Sequence, residues 1–184
     1  MSFSLFSSWR PGRDGFEELV MPHVPSLYRL AFHYCGQQSD AEDLVQELLI
    51  KLYPKTREMQ KVERLRPWLA KSLYRMFIDN LRKAQRSPIE ACETETLAQM
   101  ADASLRSDST EKLVVVKNIE QALAQLNPDQ RILVLMHDVE NYTLEELQGI
   151  LDTPLGTLKS RLHRARAKLR EILDDGTISR SVAC

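Results

Sequence analysis

One stretch near the C-terminus constrains this chain more than any other: TLEELQGILDTPLGTLKSRLHRARAKLREIL, from Thr143 to Leu173. Leu158, Leu162, Ala165, Leu169 and Ile172 recur at alternating helical spacings. At about 100° per residue they form one apolar stripe that must pack on something. Ser160, His163, Arg164 and Ala167 fall on the opposite face. Lys159, Arg166 and Arg170 flank that face on one side, Arg161 and Lys168 on the other, and no acid interrupts the run from Leu158 to Arg170. Thr143 with Glu146 fits a capping box that starts the preceding helix. Thr153 followed by Pro154 fits the N-cap and first position of the basic helix. A basic helix face alone is usually an ordinary solvated surface. Two capped helices joined by a tight turn point further, to a helix-turn-helix whose second helix meets a polyanion in the DNA major groove.

Upstream of this unit the chain is helical in pattern. Residues 1–15 lack a helical period and read as a mobile lead. Phe16 to Cys35 reads as a helix with Leu19, Leu27, Leu30, Ala31 and Tyr34 inward, kinked or starting late because of Pro22 and Pro25, and ended by Gly36. Ser39 to Tyr53 is a second helix, with a Ser39–Glu42 capping box and Asp40, Glu42 and Asp43 in the first turn. Its buried side is Leu44, Val45, Leu48, Leu49 and Leu52, and Pro54 stops it. A polar loop with a short helical turn follows. Arg66 to Gln85 is a third helix, with Pro67 at its start and Trp68, Leu69, Leu73, Phe77 and Leu81 inward. Residues 87–111 are acidic, Ser/Thr/Ala-rich and weakly apolar, as a linker is; a short helix over 97–105 is possible within them. Helices resume over Lys112 to Leu126 and, after Asn127-Pro128, over Asp129 to Val139. No strand pair, hairpin turn or repeat is visible. The expected fold is all-α: two small helical domains, 16–86 and 112–175, joined by a flexible acidic linker, the second domain a helix-turn-helix, with a tail at 176–184.

Composition excludes several classes. The 184 residues carry a formal net charge of −1, so the protein is not generally basic. Charge is unevenly placed instead: residues 1–86 are net positive, 87–112 net negative, and most cations of the C-terminal part lie in the basic helix. No apolar run reaches membrane-spanning length, and the N-terminus lacks a signal peptide's pattern, so a cytoplasmic protein with no membrane insertion is expected. Cys35, Cys92 and Cys184 are too few and too scattered for a disulfide framework and read as reduced thiols. His23, His33, His137 and His163 form no ligand-spaced cluster. His33 and Cys35 lack a second pair for zinc, and there is no phosphate-binding glycine loop or nucleophile elbow. No metal, cofactor or catalytic residue is expected, and the chain does not read as an enzyme.

Three motifs carry a family resemblance. SDAEDLVQELLIKLY (Ser39 to Tyr53), RPWLAKSLYRMFIDNLRK (Arg66 to Lys83) and Ala122 to Leu173 resemble, in order and spacing, the two domains of bacterial sigma factors of the extracytoplasmic-function group. The resemblance implies a transcription initiation factor that binds core RNA polymerase and directs it to promoter DNA through the minus-ten and minus-thirty-five elements. The tether would run through the polymerase near the RNA exit path, its acidity either matching a basic channel or merely solubilising. An anti-sigma factor is an implied partner.

The family's roles fall on particular residues. Asp40, Glu42, Asp43, Gln46 and Glu47 occupy polymerase-binding positions; the acids among them also suit helix capping, and both roles can hold. The minus-ten strand, captured unstacked, needs base pockets and a basic track. The loop Lys55 to Arg66, with Lys71, Tyr74, Arg75, Asn80, Arg82 and Lys83, supplies suitable groups. Trp68 could stack a base, but its register with Leu69 and Leu73 favours the core. Arg75 stands where many relatives carry Asn, so their base preference does not transfer. For the minus-thirty-five duplex, Lys159, Ser160, His163 and Arg164 match outward positions of the recognition helix. Ser160 and His163 suit base edges, Arg164 suits guanine, and Arg161 and Arg166 suit phosphates. Thr143 and the helix it starts offer backbone N–H groups to a phosphate.

Two rival classes remain readable. A helix-turn-helix regulator acting without polymerase would not need the Ser39–Tyr53 and Arg66–Lys83 pair. A pure interaction adaptor would leave the basic helix unexplained.

Overall fold

The computed structural model describes residues 15–86, 118–119 and 121–174, and no strand occurs among them. The expected linker, the short helix over 97–105, the tail at 176–184 and nearly all of the N-terminal lead lie outside the described residues.

The first domain is built on α1 (Phe16–Val20), α2 (Val24–Cys35), α3 (Gln38–Leu52), α4 (Thr56–Met59) and α5 (Leu65–Arg86). The prolines divide the first predicted helix: α1 ends at Val20, and a 3₁₀ turn over Met21–His23 holds Pro22 before α2 begins with Pro25 in its first turn. Gly36 closes α2 in the left-handed region at φ 76°, where a side chain would be strained, and its N–H donates to the Phe32 carbonyl. The chain then turns back, and α2 and α3 pack side by side. Leu27, Leu30, Ala31 and Tyr34 from α2 meet Leu44, Val45, Leu48, Leu49 and Leu52 from α3, all buried.

Two expectations for this domain need correction. The Ser39–Glu42 capping box does not form. Helix α3 starts at Gln38 with Gln37 as N-cap, so Ser39 is already inside the helix and its hydroxyl donates to Asp40. Glu42 instead accepts from Gln38 one turn back at 2.8 Å, and Asp40 is the first-turn acid. On α5, Leu69, Ala70, Leu73 and Met76 are buried, with Trp68 and Phe77 packed against the core as expected. Leu81 is 39% exposed, because the last turns of α5 run beside an open cleft.

The second domain holds a helical segment over 118–119 and 121–124 (α6), then α7 (Pro128–Val134), α8 (Leu144–Leu151) and α9 (Leu155–Asp174). Asn127 caps α7 by accepting from the Gln130 N–H. The predicted continuation to Val139 is helical but wider, a π turn over Leu135–Val139 closed by the Glu140 N–H donating to the Leu135 carbonyl. The Thr143–Glu146 capping box forms reciprocally. The N-cap of α9 differs from expectation by one residue: the Pro154 carbonyl accepts from Leu158, while the Thr153 hydroxyl donates to the Leu151 carbonyl and finishes α8. Arg131, buried, ties the domain together by donating to the carbonyls of Leu123, Ala124 and Leu126 at the end of α6. The apolar stripe of α9 is buried at Leu158, Leu162, Ala165 and Ile172 and partly so at Leu169.

The two domains do not stand apart. Helix α8 packs along α5, and one continuous apolar core runs through both. The Tyr34 hydroxyl donates to the Met136 sulfur at 3.4 Å across the junction.

Candidate nucleic-acid and polymerase interfaces

Helix α9 presents the face that its periodicity implies. Lys159, Ser160, His163 and Arg164 are all exposed, opposite the buried stripe. Arg164 Nε donates to the Ser160 carbonyl one turn back at 3.3 Å, which holds the guanidinium along the outer face. The two expected phosphate contacts are less free. Arg166 is engaged by Asp138 through two hydrogen bonds, which raise its pKa. Arg161 is half-buried and lies 3.6 Å from Asp129. Thr143 is exposed, but its own N–H is taken by Glu146 at 2.8 Å, so only the helix start beyond it remains for an anion.

Helix α3 presents the opposite chemistry. Asp40, Asp43, Gln46 and Glu47 are exposed, and Glu42 is half-buried. Ile50, 66% exposed, continues the row from Asp43, Gln46 and Glu47 at helical spacing. An apolar side chain left in water among carboxylates is a feature the sequence reading did not single out.

Helix α5 brings its predicted residues into two groups. Lys83 is exposed, Arg82 lies 3.7 Å from Asp79 on the same helix, and Asn80 donates to Glu47 of α3 at 3.3 Å. Lys71, Tyr74 and Arg75 face the second domain instead. Lys71 and Arg75 converge on the Asp152 carboxylate at 3.0 and 3.2 Å. Their hydrogen bonds, Lys71's first, hold that carboxyl below the usual range. Tyr74 packs edge-on against Tyr34 and lines a small cleft with Asp129, Leu151, Thr153 and Arg161; burial pushes its phenol up. Nearer the start of α5, Arg64 is paired with Glu146. Arg66 donates to the Glu140 backbone carbonyl and stacks its guanidinium 4.3 Å from the Tyr142 ring centre.

Glu140 is the residue that sequence reasoning missed. It is buried, yet it accepts from Ser26 Oγ at 2.9 Å and from Arg29 Nε and Nη2 at 2.6 and 3.1 Å, with Arg66 3.7 Å away. Burial alone would raise its pKa. The hydrogen bonds from Arg29 and Ser26, with the two guanidinium charges, outweigh that and hold the carboxyl below the usual range. A sequence offers no signal for a pairing across more than a hundred positions. Further round the junction, a cleft of about 620 Å³ opens between the domains, with Asp40, Asp43 and Glu47 on its rim and Phe77, Ile78 and Leu81 on its wall. Cys35 also lines it; burial, then Asp40, pushes its thiol up to about 11, so it is not a reactive thiolate at neutral pH.

An acidic-apolar row, a basic helix beside it and a helix-turn-helix with a clean basic face thus share one chain. Comparison with known proteins decides the family. Residues 19–87 match the model for sigma-70 region 2, and residues 117–169 match that for sigma-70 region 4. The RNA polymerase sigma-E factor of Streptomyces avermitilis is 33% identical, over 86% of this chain and 85% of its own length. The chain belongs to the RNA polymerase sigma factor family. The ECF RNA polymerase sigma factor SigE of Mycolicibacterium smegmatis is 32% identical over 86% of this chain, which spans 61% of that relative's length. Among solved structures, the sigma factor RpoE from Bartonella quintana, crystallised in complex with the anti-sigma factor NepR, superposes with a TM-score of 0.69 at 26% identity, over 88% of this chain and 98% of its own. The chain is a sigma factor of the extracytoplasmic-function group, a family of non-enzymatic transcription initiation factors. The match to region 2 as well as region 4 disfavours a helix-turn-helix regulator that dispenses with polymerase. No described helix of this sigma factor is long and apolar enough to cross a membrane.

Proposed function

We propose a division of labour by which this initiation factor binds core RNA polymerase and directs it to specific promoters. The domain at 16–86 binds core polymerase and the minus-ten strand. The domain at 112–175 reads the minus-thirty-five duplex, and residues 87–111 tether the two. On α3, Asp40, Glu42, Asp43, Gln46 and Glu47 form the polymerase contact, joined by Ile50. On α5, Lys71, Tyr74, Arg75, Asn80, Arg82 and Lys83 hold the displaced strand, whose phosphates need cations and whose bases need an aromatic platform. On α9, Ser160, His163 and Arg164 read base edges, while Lys159, Arg161 and Arg166 take phosphates; Thr143 and the helix it starts add a further phosphate contact. The chain supplies no catalytic group, and RNA synthesis belongs to the polymerase. It works in the cytoplasm, and an anti-sigma factor binds it, as the anti-sigma factor NepR is found in complex with the RpoE relative.

The observation that carries the polymerase half is the exposed row of Asp43, Gln46, Glu47 and Ile50, since a DNA-binding regulator has no use for an acidic-apolar face. Its test is complex formation with purified core polymerase by gel filtration. The wild-type factor should co-elute with core. Asp43→Lys with Ile50→Asp should abolish co-elution while leaving the helical circular dichroism intact. Unchanged co-elution would refute the α3 assignment.

A further inference from the structure

The cations on the flanks of α9 are held by their own domain in different ways. Lys168 Nζ donates to the Gln125 carbonyl at 2.8 Å. Arg161 lies 3.6 Å from Asp129, too far for a hydrogen bond. Arg166 is gripped more closely. Its Nε donates to Asp138 Oδ2 at 3.1 Å and its Nη2 to Asp138 Oδ1, so one carboxylate takes the whole Nε–Nη2 edge of the guanidinium. No acceptor among the described residues meets Nη1, so the edge between Nη1 and Nη2 keeps its donors. Arg166 is exposed, and on the wheel it shares a row with Lys159 and Arg170, also exposed, beside the base-reading face.

The backbone brings Asp138 to this place. It sits in the π turn over Leu135–Val139, whose i to i+5 bonding departs from the α-helical register, and within that turn it faces α9. Its Oδ1 also lies 3.0 Å from His137 Nδ1. Burial alone would raise its pKa. The hydrogen bonds and charge of Arg166, then those of His137, outweigh that and hold the carboxyl below the usual range, so the acceptor is ionised at neutral pH.

We propose that Asp138 is a positioning residue for minus-thirty-five recognition: by holding one edge of the Arg166 guanidinium, it presents the other edge to a phosphate of the duplex. The proposal rests on the reading of α9 as the duplex-binding helix. A guanidinium is a rigid planar fork whose edges each match a pair of oxygens, so a carboxylate and a phosphate share it without competing. A free arginine loses rotamer freedom when it binds, and the carboxylate has already removed that freedom here. The phosphate contact carries no sequence information, but it fixes the register in which Arg164, two residues back, meets its base pair.

The test is duplex binding by the full chain, read by fluorescence anisotropy over a range of salt on a promoter duplex selected by genomic binding. Charge counting and positioning predict opposite signs for Asp138→Ala. Removing an acid beside DNA should strengthen binding, whereas losing the fork should weaken it. Asp138→Ala should weaken binding by about fivefold, within the ordering cost of one long side chain. Asp138→Asn, which keeps one acceptor oxygen, should lose less. Arg166→Ala should weaken binding and lower the salt dependence of log affinity by about one phosphate contact. Arg166→Lys keeps the charge but has no second edge, and should lose about as much as Asp138→Ala. In the Arg166→Ala background, Asp138→Ala should cause no further loss, because nothing remains to be positioned; a merely structural role would weaken binding in both backgrounds. Affinity that is unchanged or raised by Asp138→Ala with Arg166 present, a loss that persists without Arg166, or full affinity for Arg166→Lys overturns the positioning role. An Arg166→Ala variant with unchanged affinity and salt slope overturns instead the assignment of Arg166 to a phosphate.

Discussion

Helices α5 and α9 are both long, both basic on one face, and both anchored by a buried stripe, yet they meet the rest of the molecule differently. The basic face of α5 is half spent on carboxylates of the other domain, Lys71 and Arg75 on Asp152 and Arg66 on Glu140. Among the described residues the outward face of α9 has no such covering: its ion pairs, Arg161 with Asp129 and Arg166 with Asp138, lie at the flanks and inside its own domain. Equal sequence signals for a basic helix can therefore mark one surface that is covered and one that is ready. What distinguishes them is where the chain places its acids in space, which depends on the packing of α8 and not on either helix.

The comparison can be broken first at the core beneath each helix. Leu73 and Leu158 are both fully buried in one shared apolar core. Leu73→Ala and Leu158→Ala should each destabilise by about 2–5 kcal/mol. Because the core is continuous, urea unfolding should remain a single transition in both variants; two separated transitions would show that the domains melt independently. Next in size is base reading by α9. Arg164→Ala should weaken duplex binding by about 1–3 kcal/mol at promoters carrying its preferred base pair and little elsewhere. An equal loss on every sequence, measured by fluorescence anisotropy, would demote Arg164 to a phosphate contact. Arg161→Ala should weaken all duplexes alike and lower the salt dependence of log affinity by about one phosphate contact. An unchanged salt slope would place Arg161 off the DNA.

The smallest effect should come from acid, which ought to make the two helices alike by uncovering α5. Glu140 is faced by Ser26, Arg29 and His33 from α2, by Arg66 from α5 and by neighbouring Tyr142. Its docked pKa is depressed, so its contribution to docking is complete above the ordinary value of 4.5 and is lost as pH falls through the docked value. Asp152, depressed by Lys71 and Arg75, acts in the same sense, below its ordinary 3.8. His33, lowered chiefly by burial, also disfavours the closed form as acid charges it. The small-angle scattering radius should be constant above about pH 6.5, begin to grow below it as His33 charges, and grow further below about 4.5 as Glu140 loses its charge. A constant radius down to the onset of unfolding would exclude carboxylate-dependent docking.

Periodicity made the helices legible. The stripe of α9, the inward leucines of α3 and the Thr143–Glu146 cap follow from local rules, because helix geometry and capping act within a turn or two. Where neighbouring residues competed for one role, the reading slipped: Gln37 displaced Ser39 as the cap of α3, and Pro154 displaced Thr153 at α9. Exposure at a helix's far end was hidden too, since Leu81 keeps the apolar register but extends past what covers it. The outward Ser160, His163 and Arg164 could be read from a wheel. The burial of Glu140 could not, because its partners Ser26, Arg29 and Arg66 lie in the other domain and only tertiary packing brings them within 4 Å. The pairing of Lys71 and Arg75 with Asp152 was invisible for the same reason.

The most direct test of promoter-directed initiation is run-off transcription with purified core polymerase. Promoters selected by genomic binding of this factor would serve as templates. The factor should confer initiation at a promoter that core alone ignores, and charge reversal at Asp43 or truncation of Arg164 should reduce the product. No product on any selected promoter, together with no stable complex with core, would contradict it.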